Sequence, residues 1–293
     1  MEPEQYRGMF EIEVRYWWFR LKRDYVYALL EEFVVPGSRP RIADLGSGTG
    51  QMLAGLPLAA VAYGFEHEPQ AIRYSSARRV ERLVRASCLQ LPIADGSLDA
   101  VLVLDVLEHL EDDAAAIREM RRISSPGAVC LITVPAHRFL WSPHDEVLHH
   151  KRRYTRKELE RKLRENGLSV VQLCYGFATV FPVAWLVRWA KRVRARLLPG
   201  AMRRDDFYPL PAWANEALYR LCRWEVTSVR RGRLPLGLSL VAVCRPATDG
   251  GGRSTVTAAG DEGTEAECAG RRDAGSDARS GSEQAAGRPD LEW

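Results

Sequence analysis

Apolar residues fall along this chain in short continuous runs separated by amphipathic stretches. Arg41–Leu45 is a brief apolar run that ends in a glycine loop, and Ala59–Phe65 is a second. Leu98–Leu104 is a third, continuous enough in apolar residues to predict a strand covered on both faces. Ala128–Val134 is a fourth, entered through the Pro126-Gly127 turn. Between the last two, Asp112–Ile123 sets Ala116, Met120 and Ile123 at helical spacing. A further helix, Thr155–Asn166, opens on a Thr N-cap followed by Glu158 in a capping-box pattern and stops at Gly167. Leu168–Leu173 and Leu238–Cys244 read as late strands, and Lys22–Phe33 as an early helix behind the aromatic run Tyr16-Trp-Trp-Phe-Arg20. Alternation of this kind predicts a doubly wound α/β fold, a mostly parallel sheet with helices on both faces.

Leu173–Val187 carries no charge over fifteen residues, too few to span a bilayer. Pro182 suits the first turn of a helix that Pro199-Gly200 ends. Along residues 182–198 an apolar stripe (Val183, Leu186, Val187, Ala190, Val193, Leu197) has Trp185, Trp189 and five basic residues on its flanks and opposite face. Two readings stay open: a peripheral membrane-surface helix, or a lid packed on the core or on a second copy. Membrane contact makes a lipid or polyprenyl substrate natural. From Pro246 onward the chain has ten acids against five arginines, while the whole 293-residue chain carries +4, so the body is basic and the tail acidic. Four segments follow: a helical cap (1–36), a core domain (37–175 with 236–246), a helical insertion (176–235), and an acidic tail (247–293) too poor in large apolar residues to order itself. The six cysteines are scattered without a C-x-x-C pair, and Met1–Phe10 lacks the apolar core of a signal peptide. Both point to a cytoplasmic protein, with the inner membrane face as its place if the surface-helix reading holds.

The strongest chemical signal is Asp44-Leu-Gly46-Ser-Gly48-Thr-Gly50, set directly after a strand. Glycines at this spacing let a ligand lie against bare main chain, and the helix start beyond offers unpaired N–H groups. The third glycine comes one residue too early for a dinucleotide fingerprint. An acid closing the first strand suits an amino-acid moiety with its own ammonium. Glu66, 22 positions after Asp44, ends the second strand, where a carboxylate can accept both ribose hydroxyls.

Together, Asp44–Gly50, Gly64–Pro69, Leu91–Asp99, Val106–Leu110 and Ser125–Gly127 resemble the successive motifs of class I S-adenosylmethionine-dependent methyltransferases. The branch they most resemble holds bacterial quinone and small-molecule methylating enzymes. The resemblance implies a seven-stranded sheet with an antiparallel last strand, and S-adenosyl-L-methionine as cofactor. It implies that Asp44, Gly46, Gly48 and Gly50 line the methionine half, that Glu66 holds the ribose, and that His67 flanks the adenine. Ser87 stands where the family usually has an Asp that accepts from the adenine amino group, and Cys88 beside it offers a backbone N–H. Asp105 is implied beside the methionine end and the substrate.

A sulfonium methyl is already activated, so catalysis needs placement of a nucleophile and, for a hydroxyl, a base. His109, His149 and His150 are the candidate bases; His137, Arg153 and Tyr154 are the candidate acceptor residues, the arginine for an anionic group. Asp105-x-x-Glu108-His109 is similar to the E-x-x-E-H of some metal-binding quinone O-methyltransferases, but we assign no metal here and expect a helix-start hydrogen-bond cluster instead. The expected function is methyl transfer to a small-molecule or lipid-like acceptor, with oligomeric state open. A non-catalytic cofactor-binding or assembly protein is the alternative. A nucleic-acid methyltransferase is disfavoured, and no nucleic-acid partner is expected: Asp105-Val-Leu-Glu108 stands where base methylators often carry N/D-P-P-Y.

Overall fold

The computed structural model describes residues 3–34, 39–56, 59–197 and 210–247. Strands β1 (Arg41–Leu45), β2 (Val61–Glu66), β3 (Leu83–Arg85), β4 (Leu98–Leu104), β5 (Ser124–Pro135), β6 (Leu168–Gly176) and β7 (Ser239–Pro246) build one sheet. Its spatial order is β3-β2-β1-β4-β5-β7-β6. Strands β1 to β5 pair in parallel, and β7 lies antiparallel to both β5 and β6. This is the seven-stranded, mostly parallel sheet expected. β1 and β4 are central and buried almost throughout, because neither alternation of their side chains is polar.

The helices are α1 (Pro3–Ile12), α2 (Trp17–Phe33), α3 (Gln51–Ala54), α4 (Pro69–Ala77), α5 (Asp113–Ile123), α6 (Pro143–Val147), α7 (Arg156–Glu165), α8 (Phe181–Leu197), α9 (Ala212–Cys222) and α10 (Trp224–Arg230). Helices α5 and α7 pack on each other and on β5 and β6 respectively, whereas α2, α9 and α10 form a second group that also reaches β5 and β6. Asp112 caps α5 by accepting from Ala115 N at 2.9 Å. Thr155 caps α7 through Glu158 N at 3.3 Å, but the Glu158 carboxylate goes to Arg138 at 2.7 Å instead of closing the expected capping box.

Helix α2 has no cap of its own: Tyr16 makes no side-chain bond at its start. Asn215 of α9 supplies one, accepting from Trp17 N at 2.8 Å and donating to Arg15 O at 2.9 Å. A second tie is fully buried. Glu225 of α10 accepts from Tyr25 Oη of α2 at 2.7 Å and from the backbone N–H groups of Ala178 and Thr179 at 2.9 and 2.8 Å. Those donors satisfy a carboxylate that burial would otherwise penalise.

Some boundaries depart from the sequence expectation. β5 begins at Ser124, ahead of the Pro126-Gly127 turn, because the chain leaving α5 pairs at once with Leu98 before an irregularity shifts the register. Helices α8, α9 and α10 fill the stretch between β6 and β7. The expected acidic tail lies, beyond residue 247, outside the described residues.

Candidate cofactor cradle and acceptor site

Parallel pairing of β1 with β2 and β4 brings their carboxyl ends to one edge, where Asp44, Glu66 and Asp105 emerge. The loop after β1 folds back, with Gly46 N and Ser47 N both donating to Phe65 O at 2.7 and 3.1 Å. Gly46 has φ +73°, and a Cβ there would sit 2.6 Å from Val106 Cγ2. Gly50 has φ +77°, and its Cβ would lie 2.8 Å from Ser75 Oγ. Positive φ and lack of room together demand glycine at both places. Glu66 turns into this loop: Oε2 accepts from Gly48 N at 2.9 Å, and Oε1 from His67 N and Glu68 N at 2.8 and 2.9 Å. Its remaining lone-pair capacity is available to a sugar hydroxyl.

Helix α1 lies over the cradle. Tyr6 is buried beside Glu66, whose charge, after burial itself, pushes the phenol well above its usual range. Met9 Cε would lie 3.4 Å from a Cβ on Gly48. Buried Glu13 accepts from the Thr49 hydroxyl and pairs with Arg78 at 2.8 Å.

The edge is rich in acids. Burial first, and the Glu66 charge second, push Asp44 up to about 8 against the pull of Lys22. Asp105, at φ +55°, accepts from Thr133 Oγ1 at 2.9 Å and pairs with Lys22 of α2. Burial raises it, but Lys22 and the Thr133 bond outweigh that and hold it below the usual carboxylate range. Burial and neighbouring Asp105 drive Glu108 far upward. Asp44, poised this close to neutrality, can give up its proton to a ligand that brings a positive charge.

Glu108 is fully buried in the single turn Leu107–His109, and neither of its carboxylate oxygens has a hydrogen-bond partner. The expected helix-start cluster is therefore not formed. Instead, His150 from the loop after α6 comes back to it, its ring 4.7 Å from that of His109, and Lys151 N donates to Glu108 O at 2.7 Å. Burial and His150 lower His109 to about 4, so its ring is neutral at pH 7. Ligand atoms of Glu108, His109 and His150 all lie within 4.8 Å of one another, the one such group among the described residues.

Asp145 organises this loop from a position with no exposure. It accepts from Ser142 N at 2.8 Å, from Arg153 Nε at 2.7 Å, and from His150 Nδ1 at 2.9 Å. Burial raises its pKa, yet the His150 bond and the Arg153 charge hold it far below the usual range. A carboxylate can only accept, so Nδ1 of His150 carries a proton, and in the neutral ring Nε2 keeps its lone pair.

The candidate acceptor residues divide. His137 stands just past β5 at φ +61°, stacked on Tyr175 at 5.1 Å and beside Phe181 at 5.5 Å, with Nε2 buried and without a hydrogen-bond partner. Arg153 and Tyr154 are corrections. Arg153 is spent on Asp145 and on Ala136 O at 3.1 Å, and Tyr154 is fully buried with its hydroxyl donating to Asp113 at 2.7 Å. Neither can receive an anion from there; both hold the loop to α5 and β5. His149 is exposed and lies outside the His109–His150 group. His67 and Ser87 are exposed, and the Ser87 hydroxyl accepts from Leu89 N at 3.3 Å. Cys88 is half-buried, its thiol raised to about 11 by burial. Lys22, Glu13 and Asp145 complete the site; the first two carry no sequence signal, while Asp145 lies in the polar Trp141–Tyr154 segment.

Comparison with known proteins fits this geometry. The family model described as a methyltransferase domain matches residues 43–132, from β1 to β5. An uncharacterized methyltransferase of Mycobacterium sp. (strain KMS) is 33% identical over 144 residues, 46% of this chain and 57% of that protein. Norajmaline N-methyltransferase of Rauvolfia serpentina is 29% identical over 188 residues, 60% of each chain. Among solved structures, the methyltransferase bound to the Trm112 activator of Haloferax volcanii superposes with a TM-score of 0.54 at 18% identity, over 85% of this chain and 96% of that one. The chain thus spans little more than half the length of the first of these relatives. Residues 43–132 thus match a methyltransferase-domain family model, and the seven-stranded sheet that holds them has the fold of a solved methyltransferase.

Proposed function

We propose that this protein transfers the methyl group of S-adenosylmethionine to a small-molecule or lipid-like acceptor. The observation that carries the reading is the cradle: two positions that only glycine can fill, flanked by a buried Asp44 and by Glu66 aimed into the loop. Bound there, the cofactor supplies an electrophilic sulfonium methyl. Asp44 and Glu66 would hold the ammonium and the ribose, leaving Asp105 and Lys22 at the reacting end.

The chain's own contribution is to place the acceptor and take its proton. Nε2 of His150, kept in its tautomer by Asp145, is the base this geometry favours, with the neutral His109 ring beside it. With the cofactor held by Asp44 and Glu66, its sulfonium would give the methyl to the acceptor oxygen or nitrogen and leave as a neutral thioether, and His150 would take the proton that the acceptor gives up. The His137–Tyr175–Phe181 cluster offers an apolar wall with one hydrogen-bonding atom, suited to a flat or amphiphilic acceptor.

A second reading replaces His150 as base with a divalent cation. Two buried, unpartnered oxygens of Glu108 beside two imidazoles are a donor set that a cation satisfies, with Asp145 as outer support for His150, whose Nε2 would then be a ligand and not a base. Such an ion would lower the pKa of a bound acceptor hydroxyl. Addition of Mn2+ is expected to raise the melting temperature of the wild type and leave Glu108→Gln unchanged; equal shifts would dismiss the ion. For the main reading, calorimetry is expected to show S-adenosylmethionine binding that Gly46→Val abolishes. Absence of binding heat in the wild type would overturn it.

A further inference from the structure

Helix α8 presents its apolar stripe to the outside. Phe181, Ala184 and Arg188, one helical face, turn toward the body, and Arg188 Nη1 donates to Leu140 O at 2.7 Å. Val183, Leu186 and Val187 lie on the other side and are 65%, 54% and 46% exposed, with Trp185 and Trp189 also exposed. A soluble amphipathic helix buries that stripe against its core. The exposed surface continues onto the neighbouring helices: Leu221 and Trp224 are exposed, and the Trp224 indole donates to Thr179 Oγ1, at the root of α8, at 3.1 Å. Along its length α8 has five basic residues (Arg188, Lys191, Arg192, Arg194 and Arg196) and no acid. No helix among the described residues is long and apolar enough to cross a membrane.

Three occupants can be weighed. A second copy of the chain in a two-fold contact would set this helix against itself, bringing together two helices that are each basic along their length with no acid to pair them. The chain's own segment beyond residue 247 has the right charge, but Val256, Leu291 and Trp293 are almost its whole stock of large apolar side chains, so it cannot cover the stripe. An anionic lipid surface answers both features at once: phosphates for the basic residues, and the acyl boundary for leucine, valine and the two tryptophans.

We infer that α8, with Leu221 and Trp224 beside it, docks this protein on anionic bilayer surfaces, its axis in the membrane plane. The inference does not depend on methyl transfer. It does carry a geometric consequence, since Phe181, the first residue of the docking helix, touches His137 of the acceptor site.

The test is flotation of the full-length protein with vesicles of phosphatidylcholine alone, or of equal parts phosphatidylcholine and phosphatidylglycerol. Recovery is expected only with the mixed vesicles, and is expected to fall at high salt as the charges are screened. The double substitution Leu186→Ser and Val187→Ser removes two apolar side chains and should lower vesicle affinity by about tenfold or more. Both residues are exposed, so its melting curve is expected to match the wild type, which separates lost docking from lost folding. Equal recovery from both vesicle types, or from variant and wild type, overturns the inference. So does a wild-type dimer in sedimentation that the double variant makes monomeric, with no vesicle binding by either.

Discussion

Asp44 shows how a single residue couples binding to protons. Buried against Glu66, it holds a proton up to about pH 8, whereas an unfolded chain releases it near the ordinary carboxylate value. Between those limits the folded state binds more protons than the unfolded one, so this group's contribution to stability declines as pH rises through the window. A ligand ammonium reverses the preference and favours the carboxylate. Binding of S-adenosylmethionine at pH 7 is therefore expected to release about one proton, seen as a dependence of calorimetric heat on the buffer's ionisation enthalpy. Asp44→Asn should remove that dependence, weaken binding, and raise the melting temperature of the protein without ligand. At this scale the glycines, Asp44 and Glu66 were legible because a strand end followed by bare backbone imposes them in sequence order. Lys22 was not, since one lysine on an amphipathic helix looks like any solvated charge, and only the fold carries it to Asp105. Arg153 and Tyr154 misled for a related reason. A polar run in a loop suggests ligand contact, but the run was supplying a buried carboxylate, Asp145, and a helix start, Asp113, with internal partners.

Among the elements, β1 and β4 match their predicted spans because unbroken apolar runs bounded by charge and glycine leave little choice. β3 was missed: three residues, Leu83-Val84-Arg85, between charged neighbours carry no period, and they form a strand only because β2 offers an edge. The α8 stripe was legible as a stripe, but which way it faced was not, since periodicity gives an angle around the helix axis and no reference direction. The link between α2 and α10 was invisible, as it joins residues 200 positions apart. It makes a sharp prediction. Tyr25→Phe deletes the hydroxyl that serves Glu225 and leaves a fully buried carboxylate short of one donor. Unfolding free energy in urea is expected to drop by about 2 kcal/mol, more than the loss of an exposed hydroxyl would cause.

For the molecule as a whole, the alternation of strands and helices announced a doubly wound sheet, and it has the seven strands and antiparallel last strand that its motifs imply. The insertion was visible as a gap between the last two strands, but its role as a brace was not, because that role is written in contacts with the first helices. The Asn215 side chain on the Trp17 amide is the clearest instance. During synthesis α2 leaves the ribosome while the residue that finishes its first turn, almost 200 residues downstream, is still untranslated. Until α9 is made, Trp17, Leu21 and Tyr25 have no settled place, and chaperones meet them as sticky surface. An amino-terminal fragment ending before α9 should accordingly be a poor folder even though it contains the whole cofactor cradle, and one of the first helices to be built is among the last to be completed.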